Sequence, residues 1–172
     1  ASPPGDKMIL NSGVLSELPS PGTVGMKVEQ VFALKVEWES EDPVTGSAVQ
    51  HQSGFWGFKD VEYLDTVYDL KTKRDLVYAL TREELSEDLQ ACLYGLDNLL
   101  QTGHDTVTLK WVFLQTQGKP QFKITDVTLD RGDLESVVTQ HLDSLVSMAQ
   151  YAGQKGSLPV LSVPPNTLKC AD

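Results

Sequence analysis

The chain has 172 residues, the size of one folded domain. Hydrophobic residues make up 40% of it and charged residues 22%, a composition that excludes a disordered or collagen-like protein. Asp and Glu number 24 against 14 Lys and Arg, a net charge of -10, which argues against nucleic acid or an anionic membrane as the main partner.

The N-terminal segment, residues 1–23, is rich in Pro, Gly and Ser, and this composition predicts an extended leader. No apolar run approaches the roughly 20 residues of a membrane-spanning helix, so we expect no membrane span. The start Ala1-Ser2-Pro3-Pro4 slightly favours a processed, exported protein over a cytosolic one. Cys92 and Cys170 could pair in an oxidising compartment, although Cys92 falls on an apolar helical stripe, where a thiol behaves as a small hydrophobe.

Alternating apolar and polar side chains predict a first strand from Val24 to Trp38, with one buried and one wet face. Turn residues follow at Glu41–Gly46. Three further strands are expected near Ala48–Phe58, Val61–Leu70 and Leu76–Leu80, with a helix as the alternative over residues 60–70.

A helix is predicted to begin after Thr81, because Thr81–Glu84 has the spacing of a capping box. Its apolar stripe runs to Leu100, and Gly103 stands where a helix commonly ends. Two strands are then expected over Thr106–Phe113 and Phe122–Leu129.

The last predicted helix covers Asp133–Ala152 and has an apolar stripe that includes His141. Residues 154–172 are expected to form an extended tail that contains Pro. Together these elements predict one α+β domain over residues 24–153. Its curved antiparallel sheet has about six strands, with two amphipathic helices packed on one face, in the order ββββ-α-ββ-α.

Motifs for common catalytic chemistries are missing from the sequence. It contains no Gly-rich phosphate-binding loop, no Gly-x-Ser-x-Gly sequence, and neither Cys-x-x-Cys nor His-Glu-x-x-His spacing for zinc. We therefore expect no cofactor and no metal site, and an enzyme is the less favoured class.

A group of acidic side chains beside aromatic residues supports a catalytic hypothesis. Four acids lie within ten residues, at Asp60, Glu62, Asp65 and Asp69. On a continuous strand Asp65 would share a face with Tyr63, and a carboxylate in an apolar pocket acquires a raised pKa suited to a general base. The candidate catalytic residues are Asp65, Tyr63 and His141. The alternative is that these acids form a solvated edge.

The segment Phe55-Trp56-Gly57-Phe58 places large side chains on both faces of a strand. Only one face can meet the principal core, so the other must be covered by the leader, by the tail or by a partner. The candidate binding residues are Phe55, Trp56, Phe58 and Tyr63.

Three functions are consistent with these features. The first is a non-enzymatic binding or assembly domain that recognises a protein partner or an apolar small molecule through a sheet face or a cavity. Another is a purely structural subunit of a larger assembly, which self-association into a homo-oligomer through an edge strand would favour. The alternative is a small pocket enzyme, an isomerase or hydrolase, with a buried carboxylate as its general base.

Overall fold

Five strands form one open sheet in the computed structural model, in the spatial order β1-β2-β3-β4-β5. The structure describes residues 9, 11–42 and 45–153. Contacts divide the chain into two compact units, residues 1–139 and 140–172, and all five strands belong to the first. The strands are β1 Lys27–Glu41, β2 Ala48–Tyr63, β3 Thr66–Lys73, β4 Thr106–Gln115 and β5 Phe122–Asp130.

The sheet is mixed, whereas the sequence predicted an antiparallel one. Strand β3 runs parallel to β4, and the other three neighbouring pairs are antiparallel. A parallel pair needs a long crossover between its strands, and residues 74–105 supply it. The three helices of the described residues are α1 Arg82–Ser86, α2 Leu89–Thr102 and α3 Arg131–Gly153. The α+β class is thus confirmed, and the order is βββ-αα-ββ-α.

The predicted strand over Leu76–Leu80 is wrong, which explains why the sheet has five strands rather than six. Residues Leu76–Tyr78 form a 3-10 turn instead. The carboxylate of Asp75 accepts a hydrogen bond from the amide of Val77, and the amide of Ala79 donates to the carbonyl of Leu76. These local bonds satisfy backbone groups that a strand would have paired with a neighbour.

The predicted helix after Thr81 is divided into two. Its capping box is confirmed, since the side chain of Thr81 accepts from the amide of Glu84 and the Glu84 carboxylate accepts from the amide of Thr81. The helix then ends at Ser86, because Asp88 caps a second helix by accepting from the amide of Ala91 at 2.8 Å. Gly103 ends α2 in the left-handed conformation, as expected.

Helix α2 and the start of α3 pack on the same face of the sheet, called here the helix face. The ring of Tyr94 meets that of Phe32 edge-on, with centroids 5.1 Å apart. At Gly95 the helix approaches its neighbours so closely that a Cβ would lie 3.1 Å from both Leu134 of α3 and Val107 of β4. Glycine is therefore the residue that this packing accommodates.

The opposite, outer face is covered in part by the N-terminal segment. Residues Val14–Glu17 form a 3-10 helix, and Val14 is fully buried. This part of the predicted leader is packed rather than extended. The cluster around Val14 contains Ile9, Leu18, Leu70, Val112, Leu114, Phe122 and Ile124.

Helix α3 follows the predicted stripe over only part of its length. The stripe is buried at Leu134, Val138 and Leu142. His141 and Leu145, which the pattern placed on the same stripe, are exposed. No helix among the described residues has both the length and the apolar character that a membrane crossing requires. The predicted tail, residues 154–172, lies outside the described residues.

Candidate functional site

Strands β2 and β3 separate after three paired positions, and the separation brings two carboxylates to one place. The ladder ends at the pair Val61 and Tyr68. Asp60 precedes Val61 and Asp69 follows Tyr68, and the two carboxylates are close enough for the charge of Asp60 to act on Asp69. There the Oδ2 atom of Asp60 accepts a hydrogen bond of 2.8 Å from the amide of Leu70. A carboxylate thus takes the place of a main-chain acceptor, so the buried donor stays satisfied.

The place where β2 and β3 separate, beside Asp60 and Asp69, is called here the fork. Helix α2 covers the fork from the helix face. The hydroxyl of Tyr94 donates to the carbonyl of Phe58 at 2.5 Å, and Gln90 Nε2 donates to the Tyr94 hydroxyl at 2.7 Å. Gln90 and Tyr94 are four residues apart, so they lie on one face of the helix. Gln90 also accepts from Lys71 Nζ at 3.1 Å. The helix therefore fixes both the end of the ladder and a lysine of β3.

Asp69 is the most unusual group at the fork. It is only 2% exposed, and its Oδ2 atom accepts no hydrogen bond. Lys71 Nζ lies 2.8 Å from that atom, an ion pair outside hydrogen-bond geometry. Burial raises the pKa of Asp69; the Lys71 ammonium opposes this rise, and the negative charges of Asp60 and Asp88 add to it. The site therefore carries more negative charge than its lysine compensates.

Basic side chains continue along β3 from this point. Asp69, Lys71 and Lys73 alternate along the strand, so all three share the helix face. Arg74 follows directly and its Nε donates to Gln117 at 2.7 Å. Lys71 is about one-third exposed, with a side-chain exposure of 35%, so the buried carboxylate lies close to solvent. The end of β3 thus combines a buried acid with a short basic stretch, although the whole chain is acidic.

The fork offers two carboxylates, Asp60 and Asp69, as candidate ligands for a divalent cation. Mg²⁺ commonly keeps several waters and is held by one or two carboxylates together with oxygens of a substrate phosphate. No group of three or more His, Cys, Asp or Glu side chains among the described residues is arranged to hold a metal ion. Asp60 and Asp69 are therefore the two protein ligands that the fork can offer.

A ring of polar side chains lies beside the fork and connects β1, β2 and α2. Its five members are Lys27, Lys59, Glu62, Asp97 and Gln101. Lys59 Nζ contacts both Glu62 and Asp97, the latter at 2.6 Å, and Lys27 Nζ contacts Glu62 at 2.7 Å and Gln101 at 3.0 Å. Gln101 Nε2 closes the ring on Asp97 at 2.7 Å. Two ammonium groups and two carboxylates leave the ring neutral.

A local irregularity in β1 and β2 makes the ring geometrically feasible. Lys59 and Glu62 are both buried although they are three residues apart, and a regular strand would place them on opposite faces. The pairing of β1 with β2 skips Glu29 and Asp60, and Glu29 has a positive φ of 50°. The alternation of side chains along β2 therefore shifts by one residue at Asp60, which lies next to the fully buried Lys59. The ring consequently anchors the residue that precedes the candidate ligand.

Glu62 titrates in the opposite sense to Asp69. Burial by itself would raise the pKa of Glu62, but hydrogen bonds and charge from Lys27 and Lys59 outweigh it, so the pKa is lowered. Glu62 is therefore a charged structural group that contacts two lysines, whereas Asp69 has an ion pair with one lysine, Lys71.

None of the three predicted catalytic residues is buried. Asp65 is exposed in the turn between β2 and β3, where Leu64 has a positive φ of 54°. The prediction of one strand through Val61–Leu70 is therefore wrong, and so is the place it gave Asp65. Tyr63 is half-buried at the end of β2, and His141 is exposed in the second unit.

Two of the four predicted binding residues lie on an exposed patch. Trp56 is 76% exposed and Phe58 57%, and their rings meet edge-to-face at 6.5 Å. Val31, 62% exposed, pairs with Phe58 across the strands. These three side chains are called the aromatic patch. Phe55 points to the helix face and is half-buried, and Tyr63 is not part of the patch.

The sequence reasoning missed Lys71, Gln90 and Tyr94. A signal for each was present. An Asp-x-Lys sequence on a strand places both charges on one face, and polar residues four apart on an otherwise apolar helix indicate a shared contact. Nothing in the sequence alone indicated that Lys71 of β3 and Gln90 of α2 would contact each other.

Comparisons with known proteins identify no family. A scan against protein-family models found no match, and a search of curated proteins found no significant one. Among solved structures, the chain is similar to one described as a crystal structure of SSO0001, with a TM-score of 0.37 and 18% sequence identity. The similarity covers 81% of this chain and 57% of that chain, so this chain spans less than two thirds of that structure's length.

Proposed function

We propose that the chain is a hydrolase of phosphate esters that acts with a divalent cation held by Asp60 and Asp69. The observation that carries the proposal is the Oδ2 atom of Asp69, which is buried, has the ion pair with Lys71 as its one compensation, and feels the charge of the nearby Asp60 carboxylate. A buried carboxylate is costly unless cations compensate it. Lys71 supplies one cation, and a metal ion is the natural second.

Each residue of the fork has a role in this proposal. A bound divalent cation polarises a phosphoryl oxygen and lowers the pKa of a bound water. Lys71 places a positive charge where the phosphoryl group would gain negative charge, and Gln90 orients that ammonium. Tyr94 holds the carbonyl of Phe58 and so keeps the two strands apart at Asp60.

The proposal retains the hydrolase alternative but assigns the buried carboxylate to Asp69 rather than Asp65. The net charge of -10 is a property of the whole chain. The stretch Lys71, Lys73 and Arg74 provides a local positive charge that suits a phosphate anion. Phosphodiesters, including the backbone of nucleic acids, are therefore the first substrates to test, which revises the expectation that nucleic acid is not a partner.

The test is hydrolysis of bis(p-nitrophenyl) phosphate and of labelled single- and double-stranded oligonucleotides, with Mg²⁺ or Mn²⁺ and with EDTA. We expect cation-dependent hydrolysis that falls at least about 100-fold in Asp69→Asn and in Lys71→Met. Asp65→Asn is the matched control, because it removes an exposed acid four residues away and should retain full activity. Cation-independent hydrolysis, or full activity in Asp69→Asn, would contradict the proposal.

A binding function through the aromatic patch is the second candidate. Its support is the exposure of Trp56, Phe58 and Val31 on one face, since monomers seldom expose such clusters without a partner. The partner would be a protein or an apolar small molecule. Trp56→Ala should change the unfolding free energy by no more than about 0.5 kcal/mol. Native mass spectrometry of the wild-type protein purified from its source should show the added mass of a bound partner. The Trp56→Ala variant should lack this added mass. Retention of that mass would exclude the patch as the binding site.

A further inference from the structure

Strand β1 is an open edge of the sheet. It is the first strand in the spatial order and, among the described residues, pairs only with β2. The other edge, β5, is partly covered by α1 and by the residues just before it. Arg82 Nε donates to the carbonyl of Asp126 at 2.8 Å, and the Thr125 hydroxyl donates to the carbonyl of Leu80 at 2.7 Å. Within the described part of the chain, β1 therefore offers the longer open row of edge groups to another strand.

The central part of β1 carries charged side chains, which are one protection of natural edges, but it lacks the backbone interruptions that are another. At the N-terminal end of β1, Gln30 Nε2 donates to the carbonyl of Val28 at 3.2 Å, so this carbonyl already has a partner. Residues 32–39 contain no proline, no glycine and no interruption of the ladder with β2. Edge strands of this length are normally blunted by such features, because an open edge accepts further strands.

We propose that β1 pairs in antiparallel fashion with β1 of a second copy, centred on Val36, so that two five-stranded sheets join across a two-fold axis. The charges of β1 favour this register. Lys35 and Glu37 lie on the exposed face and attract each other at 2.5 Å. With Val36 at the centre, each Lys35 stands opposite Glu37 of the second copy.

Neighbouring registers are disfavoured by the same charges. In an antiparallel ladder, side chains directly opposite each other lie on the same face of the sheet. The two-fold axis must therefore pass through one residue of β1 and not between two residues. A centre on Lys35 would place two lysines opposite each other, and a centre on Glu37 two glutamates. Like charges in these positions are destabilising. Val36 is therefore the centre that matches unlike charges on both sides of the axis.

A groove beside β1 gives the second copy an apolar surface to bury. It has a volume of about 320 Å³ and is lined by Leu34, Val36, Leu96, Leu100 and Val138, with Lys35, Glu37, Arg131 and Glu135 at its rim. Four consecutive residues, 34–37, line it, so it follows the edge of the strand. The proposed register sets Val36 against Val36 of the second copy at this groove, which adds apolar burial to the backbone hydrogen bonds.

Sedimentation velocity over a range of protein concentrations tests the proposal. The wild-type chain should dimerise, and Lys35→Glu should raise the dimer dissociation constant at least about tenfold, because it places like charges at two symmetric positions. The double variant Lys35→Glu/Glu37→Lys should restore dimerisation, since the exchanged charges again match. Lys123→Glu, the same charge change on exposed β5, is the control and should leave the dimer intact. Thermal unfolding of each variant separates loss of pairing from loss of folding.

A cross-linking experiment reports the register directly. In a Cys170→Ser background, Val36→Cys should form an intermolecular disulfide, because the two cysteines would stand opposite each other across the axis. Ser40→Cys, on the same face but away from the axis, should not. Three results would overturn the proposal: a monomer at every concentration, failure of the charge exchange to restore the dimer, or equal cross-linking of both cysteines. A monomer would mean that another occupant, such as the tail or a different protein, covers the edge.

Discussion

Two buried acids on neighbouring strands illustrate how residue surroundings decide chemical roles. Glu62 and Asp69 are each 2% exposed. Two lysines hold Glu62 in its charged form, so its pKa is lowered although burial opposes this. Asp69 has one lysine and two nearby acids, and burial raises its pKa. The first residue therefore stabilises the fold, and the second costs stability that a bound cation would recover.

The stability that Glu62 contributes should depend on pH in a defined direction. A group whose folded-state pKa is lowered binds fewer protons than in the unfolded chain, so its contribution is present above 4.5, its unperturbed value, and is lost as pH falls through the lowered pKa. At pH 7 we expect Glu62→Gln to be less stable than the wild type by about 1.5–3 kcal/mol, since it loses hydrogen bonds to charged partners. Urea unfolding at a series of pH values should show this difference shrinking as the solution is acidified below 4.5. A difference that stays constant into strong acid would show that the charge of Glu62 is not what stabilises the ring.

Part of the site could be predicted at the residue scale. The group Asp60 to Asp69 was identified from sequence as a concentration of acids beside aromatic residues, and two of its members form the fork. The position predicted for Asp65 was wrong, because the face assignment assumed an uninterrupted strand where the structure has a turn. Local backbone conformations invalidate that assumption, namely the positive φ at Leu64 and the reversal at Glu29. Neither residue type requires a positive φ, so the sequence carried no warning.

At the scale of elements, the regular periodic patterns were predicted well and the short segments were not. The long strands are visible in the alternation of their own side chains, and the capping box at Thr81 and the end of α2 at Gly103 depend on contacts within a few residues. Asp75 and Asp88 each cap a segment that the apolar pattern assigned otherwise. The parallel pairing of β3 with β4 depends on contacts about 40 residues apart along the chain, which periodicity does not record.

Strand β2 offers a matched test of how closely the sheet packs beneath α2. A Cβ at Gly57 would lie 2.8 Å from the ring of Phe32, which is itself held against Tyr94, whereas a Cβ at Gly54 would meet nothing within 4 Å. Gly57→Ala should therefore lower the unfolding free energy by about 1–3 kcal/mol. Gly54→Ala should change it by no more than about 0.5 kcal/mol. Chemical denaturation of both variants checks the prediction, and equal effects would contradict the packing of Phe32 described above.

At the scale of the whole molecule, the order of the predicted elements gave the α+β class correctly, but composition does not show how charge is distributed. The net charge of -10 is an average, while the end of β3 is locally basic and the fork locally acidic. Both faces of the sheet carry apolar side chains, because α2 covers one face and the segment around Val14 covers part of the other. The sequence left open whether the leader, the tail or a partner covers the second face, and the structure shows that part of the leader does so.

The binding of a divalent cation at the fork is the claim on which the proposed function depends, and thermal unfolding with Mn²⁺ or Mg²⁺ tests it without any substrate. A ligand that binds only the folded state stabilises it by about 2.7 kcal/mol at a concentration of 100 times its Kd. The wild type and Asp65→Asn should therefore show midpoints that rise with cation concentration, and Asp69→Asn should show no rise. Equal rises in all three proteins, or none in the wild type, would contradict a cation site formed by Asp60 and Asp69.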